Sequence, residues 1–188
     1  MTVVAGEEVP NGTRIVGRQC AVKIVLFGAY PETSMSSLKR ILLNNEIGFG
    51  YRIGYLFNHY AGPVYKWSAA EFRLHRPEFA TMFCAVHLDD ASASDVVALS
   101  GIPKNSVSRA VARLIDHGLL KREQHERDGR KAILRLTKKG RKIYDDMLPQ
   151  FVTRQERMLA VLDPAEIREF DRLLDKLVER DDDWATDF

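Results

Sequence analysis

The hydrophobic period of this chain changes after Gly118, and no other feature restricts its fold so tightly. Before that glycine, apolar residues recur at helical spacing. Phe79, Met82, Phe83 and Val86 share one face of a segment from about Pro77 to His87. Val107, Val111, Leu114 and Ile115 form the expected buried stripe of a second segment, Lys104 to His117. Ser92 and Ser94 offer N-caps for a shorter helix between them, running through Leu99. Gly101 turns the chain, Pro103 opens the next helix, and Gly118 suits the left-handed residue that ends it. Beyond Gly118 the period falls to two. Leu119–Arg127 and Lys131–Leu136 read as strands around Asp128-Gly129, a strong hairpin signal.

Three helices followed by a hairpin is the layout of a winged helix-turn-helix. The expected fold class is mainly α with a small β-wing, the winged unit being joined to an α-helical dimerisation domain. A helix-like stretch from Glu46 to about Trp67 precedes the wing unit, its propensity weakened by Gly48, Gly50 and Gly54. Helix returns after the hairpin, with Thr137 as N-cap, Pro149 as a potential kink and Asp163-Pro164-Ala165-Glu166 as a capping-box start. Ile167, Phe170, Leu174, Leu177 and Val178 give the last helix a narrow apolar face. This is more apolar surface than a small winged unit covers, so a subunit interface is expected. The organisation is then 69–137 for the winged unit, 35–68 with 138–183 for dimerisation, and 184–188 for a tail. Residues 1–34 show no helical period and one β-prone run, Val22–Phe27; they are expected to lack a core, with Met35 as an alternative start.

Net charge alone is uninformative, because 28 basic residues nearly cancel 26 acidic ones to leave +2. Its distribution is not. Between Lys104 and Lys142 stand 13 basic residues against Asp116, Glu123, Glu126 and Asp128, a net +9 that leaves −7 for the rest. Such polarity on one helix and its hairpin is the electrostatic footprint of a DNA-binding surface. Asn105, Ser106, Arg109, Ala112 and Arg113 lie opposite the buried stripe of the Lys104–His117 helix. Arg reads guanine bidentately, Asn reads adenine, Ser reaches bases or phosphates, and a small Ala permits close approach. At the hairpin tip, Arg127 and Arg130 suit a minor groove, Lys131 adds charge, and Asp128 is expected to hold an arginine in place. Lys138 and Lys139 oppose the dipole of the helix they begin, so phosphate contact explains them better than stability does.

These residues together resemble the MarR family of bacterial transcription regulators. The resemblance is carried by Ala98-Leu99-Ser100-Gly101-Ile102, Val107-Ser108-Arg109, Leu114 through Gly118-Leu119-Leu120, Arg127-Asp128-Gly129-Arg130, and Leu136-Thr137-Lys138-Lys139-Gly140. It covers roughly Glu46 to Glu179. It implies a homodimer, a recognition helix in the major groove of a palindromic operator, and wing tips in the minor groove, with Asp128 and Arg130 as the wing pair. Pro103 departs from the polar cap of many relatives. The implied DNA-binding set is Lys104, Asn105, Ser106, Ser108, Arg109, Arg113, Arg127, Asp128, Arg130, Lys131, Lys138 and Lys139. Family members often bind a small aromatic effector, for which Tyr51, Tyr55, His59, Tyr65, Trp67 and Phe72 are the candidate lining. The expected function is a sequence-specific regulator, more specifically a repressor released by its ligand, with no cofactor, no metal and no catalytic residue.

Other chemistries find little support. Gly48-Phe49-Gly50-Tyr51-Arg52-Ile53-Gly54 misplaces the third glycine of a dinucleotide loop, and no strand precedes it. Cys84 and His87 sit one helical turn apart, yet no second pair of ligands accompanies them. Two distant cysteines, Cys20 and Cys84, and a lysine inside the only early apolar run suit a cytoplasmic protein without a secretory signal. No apolar stretch approaches the length of a membrane span. The alternatives are a winged-helix module that binds protein and not DNA, and a small enzyme using the aromatic cleft.

Overall fold

The computed structural model describes residues 39, 41–43, 45–124 and 132–181. The chain divides into two units, Met1–Arg40 and Ile41–Phe188, and the fold described is that of the second. Its order is α1 (Gly48–Phe72), α2 (Arg76–His87), α3 (Ala93–Ser100), α4 (Lys104–Asp116), β1 (Leu120–Gln124), β2 (Ala132–Leu136), α5 (Lys138–Leu159) and α6 (Pro164–Val178). None of these helices is long and apolar enough to cross a membrane.

Local signals account for the helix ends. Of the two candidate serines, Ser92 caps α3: its Oγ accepts from the Asp95 amide at 3.3 Å, and the Asp95 carboxylate accepts from the Ser92 amide at 2.8 Å. Gly118, at φ 67°, closes α4 in a Schellman motif, with Leu119 N–H donating to Leu114 O and Gly118 N–H to Ile115 O. Asp163 caps α6 through the amides of Ala165 and Glu166 at 2.7 and 2.9 Å. Helix α1 runs past the expected stop near Trp67 to Phe72. Arg73 then turns the chain at φ 57°, and the buried Ser68 hydroxyl secures that turn by donating to Leu74 O at 2.7 Å.

The core lies where α2, α4, the β-pair and α5 meet, on Met82, Val96, Val107, Val111, Leu114, Leu134, Tyr144 and Met147. Two sequence expectations need correction. Ile115 is 37% exposed and Ala110 takes its place in the buried face, since 107, 110, 111 and 114 follow the helical stripe more closely. Phe83 is likewise 37% exposed, and its ring packs on the side chain of His87; Glu78, Thr81 and Cys84 are buried on α2 instead. Strands β1 and β2 pair antiparallel from Leu120↔Leu136 to Gln124↔Ala132, and Leu134 N–H donates to Ala91 O at 2.7 Å, tying the segment before α3 to the pair.

Helix α5 begins against the end of α4. Thr137 accepts from the Gly140 amide at 3.0 Å and donates to Gly118 O at 2.7 Å, while its own amide donates to Leu119 O. It then continues through Pro149 as one helix to Leu159. Its inner face meets α1 in an aromatic cluster: Phe79 stacks on Phe151 at 3.9 Å, with Tyr65 edge-on to both and Tyr144 behind. A second tie crosses the same seam. Pro63, inside α1, has no N–H for the His59 carbonyl four residues earlier. Arg154 of α5 supplies the donor, bonding His59 O through Nη2 and Tyr60 O through Nε at 2.5 Å. Helix α6 buries none of its residues, and Ile167, Phe170, Leu173, Leu174 and Leu177 remain exposed along it.

Candidate nucleic-acid interface

The face of α4 opposite the core carries Lys104, Asn105, Ser108, Arg109, Ala112 and Arg113, all exposed, with Ser106 half-buried at its edge. No side chain caps the helix at Pro103, which leaves its first turn open toward the outside. Arg109 Nη2 donates to Ser106 Oγ at 3.3 Å, so the guanidinium lies back along its own helix.

Ion pairing changes the meaning of the +9 segment. Lys121 pairs with Glu123 at 2.5 Å, and Arg135 reaches both Glu123 at 3.5 Å and Asp90 at 3.4 Å. Hydrogen bonding from Lys121, and secondarily from Arg135, holds the Glu123 carboxyl below its usual range. Arg141 and Lys142 pair with Asp145 and Asp146 one turn on, and Arg113 donates to Glu78 of α2. Lys139 donates to His117 O at 3.1 Å, at the carbonyl end of α4. That explains its place at the start of α5 without recourse to phosphate, because a cation is favoured at a helix C-terminus. Lys104, Arg109, Arg122 and Lys138 are the cations of the segment with neither an acidic nor a carbonyl partner among the described residues. Three of these four were singled out in the sequence; Arg122, on the exposed side of β1, was not. Arg127, Asp128, Arg130 and Lys131 lie outside the described residues.

The aromatic candidates do not line one cavity. Tyr65 belongs to the α1–α5 cluster, Trp67 meets Phe72 edge-on at 5.5 Å, and Tyr55 stacks on His59 at 3.8 Å, while Tyr51 is exposed. Helical rise spreads the six along the axis, with Tyr51 and Phe72 about 32 Å apart, so they do not meet in one place. Two shallow grooves do run between α1 and α5. One, of about 270 Å³, takes in Leu56, His59, Tyr60 and Met158; the other, of about 200 Å³, takes in Pro63, Val64 and Trp67. Arg154 and Arg157 border both. Neither arginine carried a recognisable signal, since each is one basic residue in a polar helix.

Residues 82–131, from mid-α2 into the segment after β1, match the MarR family model. Over that segment the chain is similar to the MarR family. It is also 36% identical over 70 residues to the HTH-type transcriptional regulator BilQ of Clostridium symbiosum, a match covering 37% of this chain. The chain thus spans about half (49%) of that curated relative. The likeness of fold extends further than the sequence match. A MarR-family regulator from Silicibacter pomeroyi superposes with a TM-score of 0.65 at 20% identity, covering 77% of this chain and 94% of that one. BpsR of Bordetella bronchiseptica, described for the regulation of its DNA binding by 6-hydroxynicotinic acid, gives 0.59 at 23% identity, covering 70% and 94%.

Proposed function

We propose that this chain is a homodimeric, sequence-specific DNA-binding regulator of the MarR family, a repressor whose operator affinity is lowered by a small aromatic effector. The observation that carries the DNA-binding reading is α4. It buries Val107, Ala110, Val111 and Leu114 in the core and turns Lys104, Asn105, Ser108 and Arg109 outward, the two cations without an acidic partner among the described residues. In this reading Arg109 and Asn105 address base edges, and Lys104, Ser106, Ser108 and Lys138 hold phosphates or the groove wall. Arg127, Asp128, Arg130 and Lys131 enter the minor groove, on sequence grounds alone. Residues 69–137 are the DNA-binding part, and 35–68 with 138–183 the dimerisation part. Support for the dimer comes from α6, whose apolar row has no cover among the described residues. Two copies would present paired α4 helices to half-sites about one helical turn apart.

Support for an effector is the effect of an aromatic acid on the relative BpsR, together with the arginine-bordered grooves between α1 and α5. An effector acts by preferring the arrangement that does not fit the operator, and a coupling of about 1–3 kcal/mol suffices. The test is a fluorescence-anisotropy titration of duplex from the chain's own upstream intergenic region, at several salt concentrations, against unrelated duplex of equal length. Specific binding with a steep salt dependence is expected, and Arg109→Ala should relax specificity by about 1–3 kcal/mol. Affinity no greater than for unrelated DNA refutes the reading.

A further inference from the structure

Glu78 is the buried acid among the described residues, 1% exposed near the start of α2, and both of its carboxylate oxygens are used. Oε2 accepts from the His75 amide at 3.0 Å, completing the cap of α2. Oε1 accepts from Nη2 of Arg113, which comes from α4, 35 residues away in sequence. The arginine is half-exposed (55%) and the carboxylate almost fully enclosed (2%), so the pair is asymmetric. Solvent can hydrate Arg113 if the bond breaks, but not Glu78. Moving Arg113 onto a phosphate would strand a buried carboxylate without its cation, the costly half of breaking such a pair.

Arg113 lies near the C-terminal end of α4 and Asn105 near the beginning, eight residues apart on a helix rising 1.5 Å per residue, or about 12 Å. A tilt of about 5° pivoting at the Arg113 end displaces the Asn105 end by about 1 Å over that length. Apolar packing of Val107, Ala110 and Val111 holds α4 in the core without directional bonds. The bond to Glu78 adds direction: it ties the outer edge of α4 to the capped end of α2.

We propose that Arg113 is a positioning residue which, through Glu78, sets the angle at which α4 is presented, and that it does not itself hold a phosphate or a base. The proposal rests on the DNA-binding reading above. Glu78→Gln is the sharper variant, because it keeps the size and the oxygen facing His75 while removing the charge that holds Arg113. Full-length wild type, E78Q, R113A and the double variant are titrated with operator-bearing and unrelated duplex at several salt concentrations.

Positioning predicts that E78Q and R113A each weaken operator binding about tenfold and that the double variant is no worse than R113A, since coupled neighbours are not additive. Binding to unrelated duplex, which depends on charge and not on angle, and the salt slope keep their wild-type values. A phosphate contact predicts instead that R113A lowers the slope by about 1 and weakens both duplexes, with E78Q like wild type; that result overturns the proposal. Equal loss on both duplexes in both variants at unchanged slope marks a purely structural pair and overturns it too. Should wild type show no operator preference, the DNA-binding reading fails. Hydrogen exchange over residues 104–116 then decides the tie between helices: faster exchange in both variants retains it, and wild-type rates remove it.

Discussion

Gly140 is the residue whose replacement the structure forbids most clearly, although it stands inside a helix, where alanine is favoured. It occupies the first turn of α5 and is buried against the backbone that leaves α4. A Cβ there would press on the Leu119 carbonyl oxygen and come within 2.8 Å of its carbonyl carbon and 3.2 Å of its Cα. Ordinary carbon–carbon contact begins at about 3.5 Å, and the obstruction is main chain, so no rotamer relieves it. Exchange of glycine for alanine in a helix gains about 1 kcal/mol. Against it stand overpacking, about 1–3 kcal/mol, and two hydrogen bonds that the displacement disturbs, Thr137 N–H to Leu119 O and Gly140 N–H to Thr137 Oγ1, worth about 1 kcal/mol each. Gly140→Ala should therefore destabilise by about 2–4 kcal/mol net, lowering Tm by at least about 4 °C at this size. Urea and thermal unfolding at one fixed protomer concentration measure it. A variant as stable as wild type refutes the argument, because it would mean that α5 can lift from the α4–β1 turn at no cost. In that event the Leu-Thr-x-x-Gly sequence would need another explanation.

Three further expectations follow from the same geometry. Arg154→Ala should destabilise by about 0.5–1.5 kcal/mol by removing the donor to the His59 carbonyl. In a Pro63→Ala background, where residue 63 regains its N–H, the loss should shrink markedly; equal losses in both backgrounds would show that Arg154 does not stand in for the missing donor. Burial pushes the Cys84 thiol up from its usual value, with Asp95 adding to the shift. Since the folded value exceeds the unfolded one, this group's stabilisation is intact below about pH 8.5 and declines as pH rises through the folded value. Denaturation between pH 7 and 10.5 should show an alkaline loss that Cys84→Ala reduces, and identical profiles would contradict it. Finally, Phe170→Asp with Leu174→Asp should convert a dimer to monomer in sedimentation while preserving helix content, as α6 buries nothing within its own chain. Dimers that persist place the interface elsewhere.

What the sequence determined by itself is whatever depends on neighbours within a few residues. The serine cap of α3 (Ser92, one of the two candidates), the Gly118 turn, the Asp163 cap and the change of period after Gly118 all close over short spans, and each stands in the structure where the residues indicated. The outward face of α4 was legible for the same reason, because a helix with a buried stripe must present its other side. The single position that went wrong there, Ile115, lies at the margin of the stripe, where periodicity does not separate core from surface.

What only the tertiary structure decided is which partner each polar side chain finds. Glu78 and Arg113 are 35 residues apart, Arg154 and His59 are 95 apart, and Lys139 meets a carbonyl 22 residues back. Charge counting treated all the cations of the segment alike; packing divided them into those committed to acids or carbonyls within the fold and those left facing outward. The six aromatics show the same limit, for the sequence could gather them on one helix but not at one height along it. A hydrogen bond is short and directional, so its partner is known only once two helices have been brought together. The apolar stripes that bring them together need no such precision, and that is why the fold was readable before the site was.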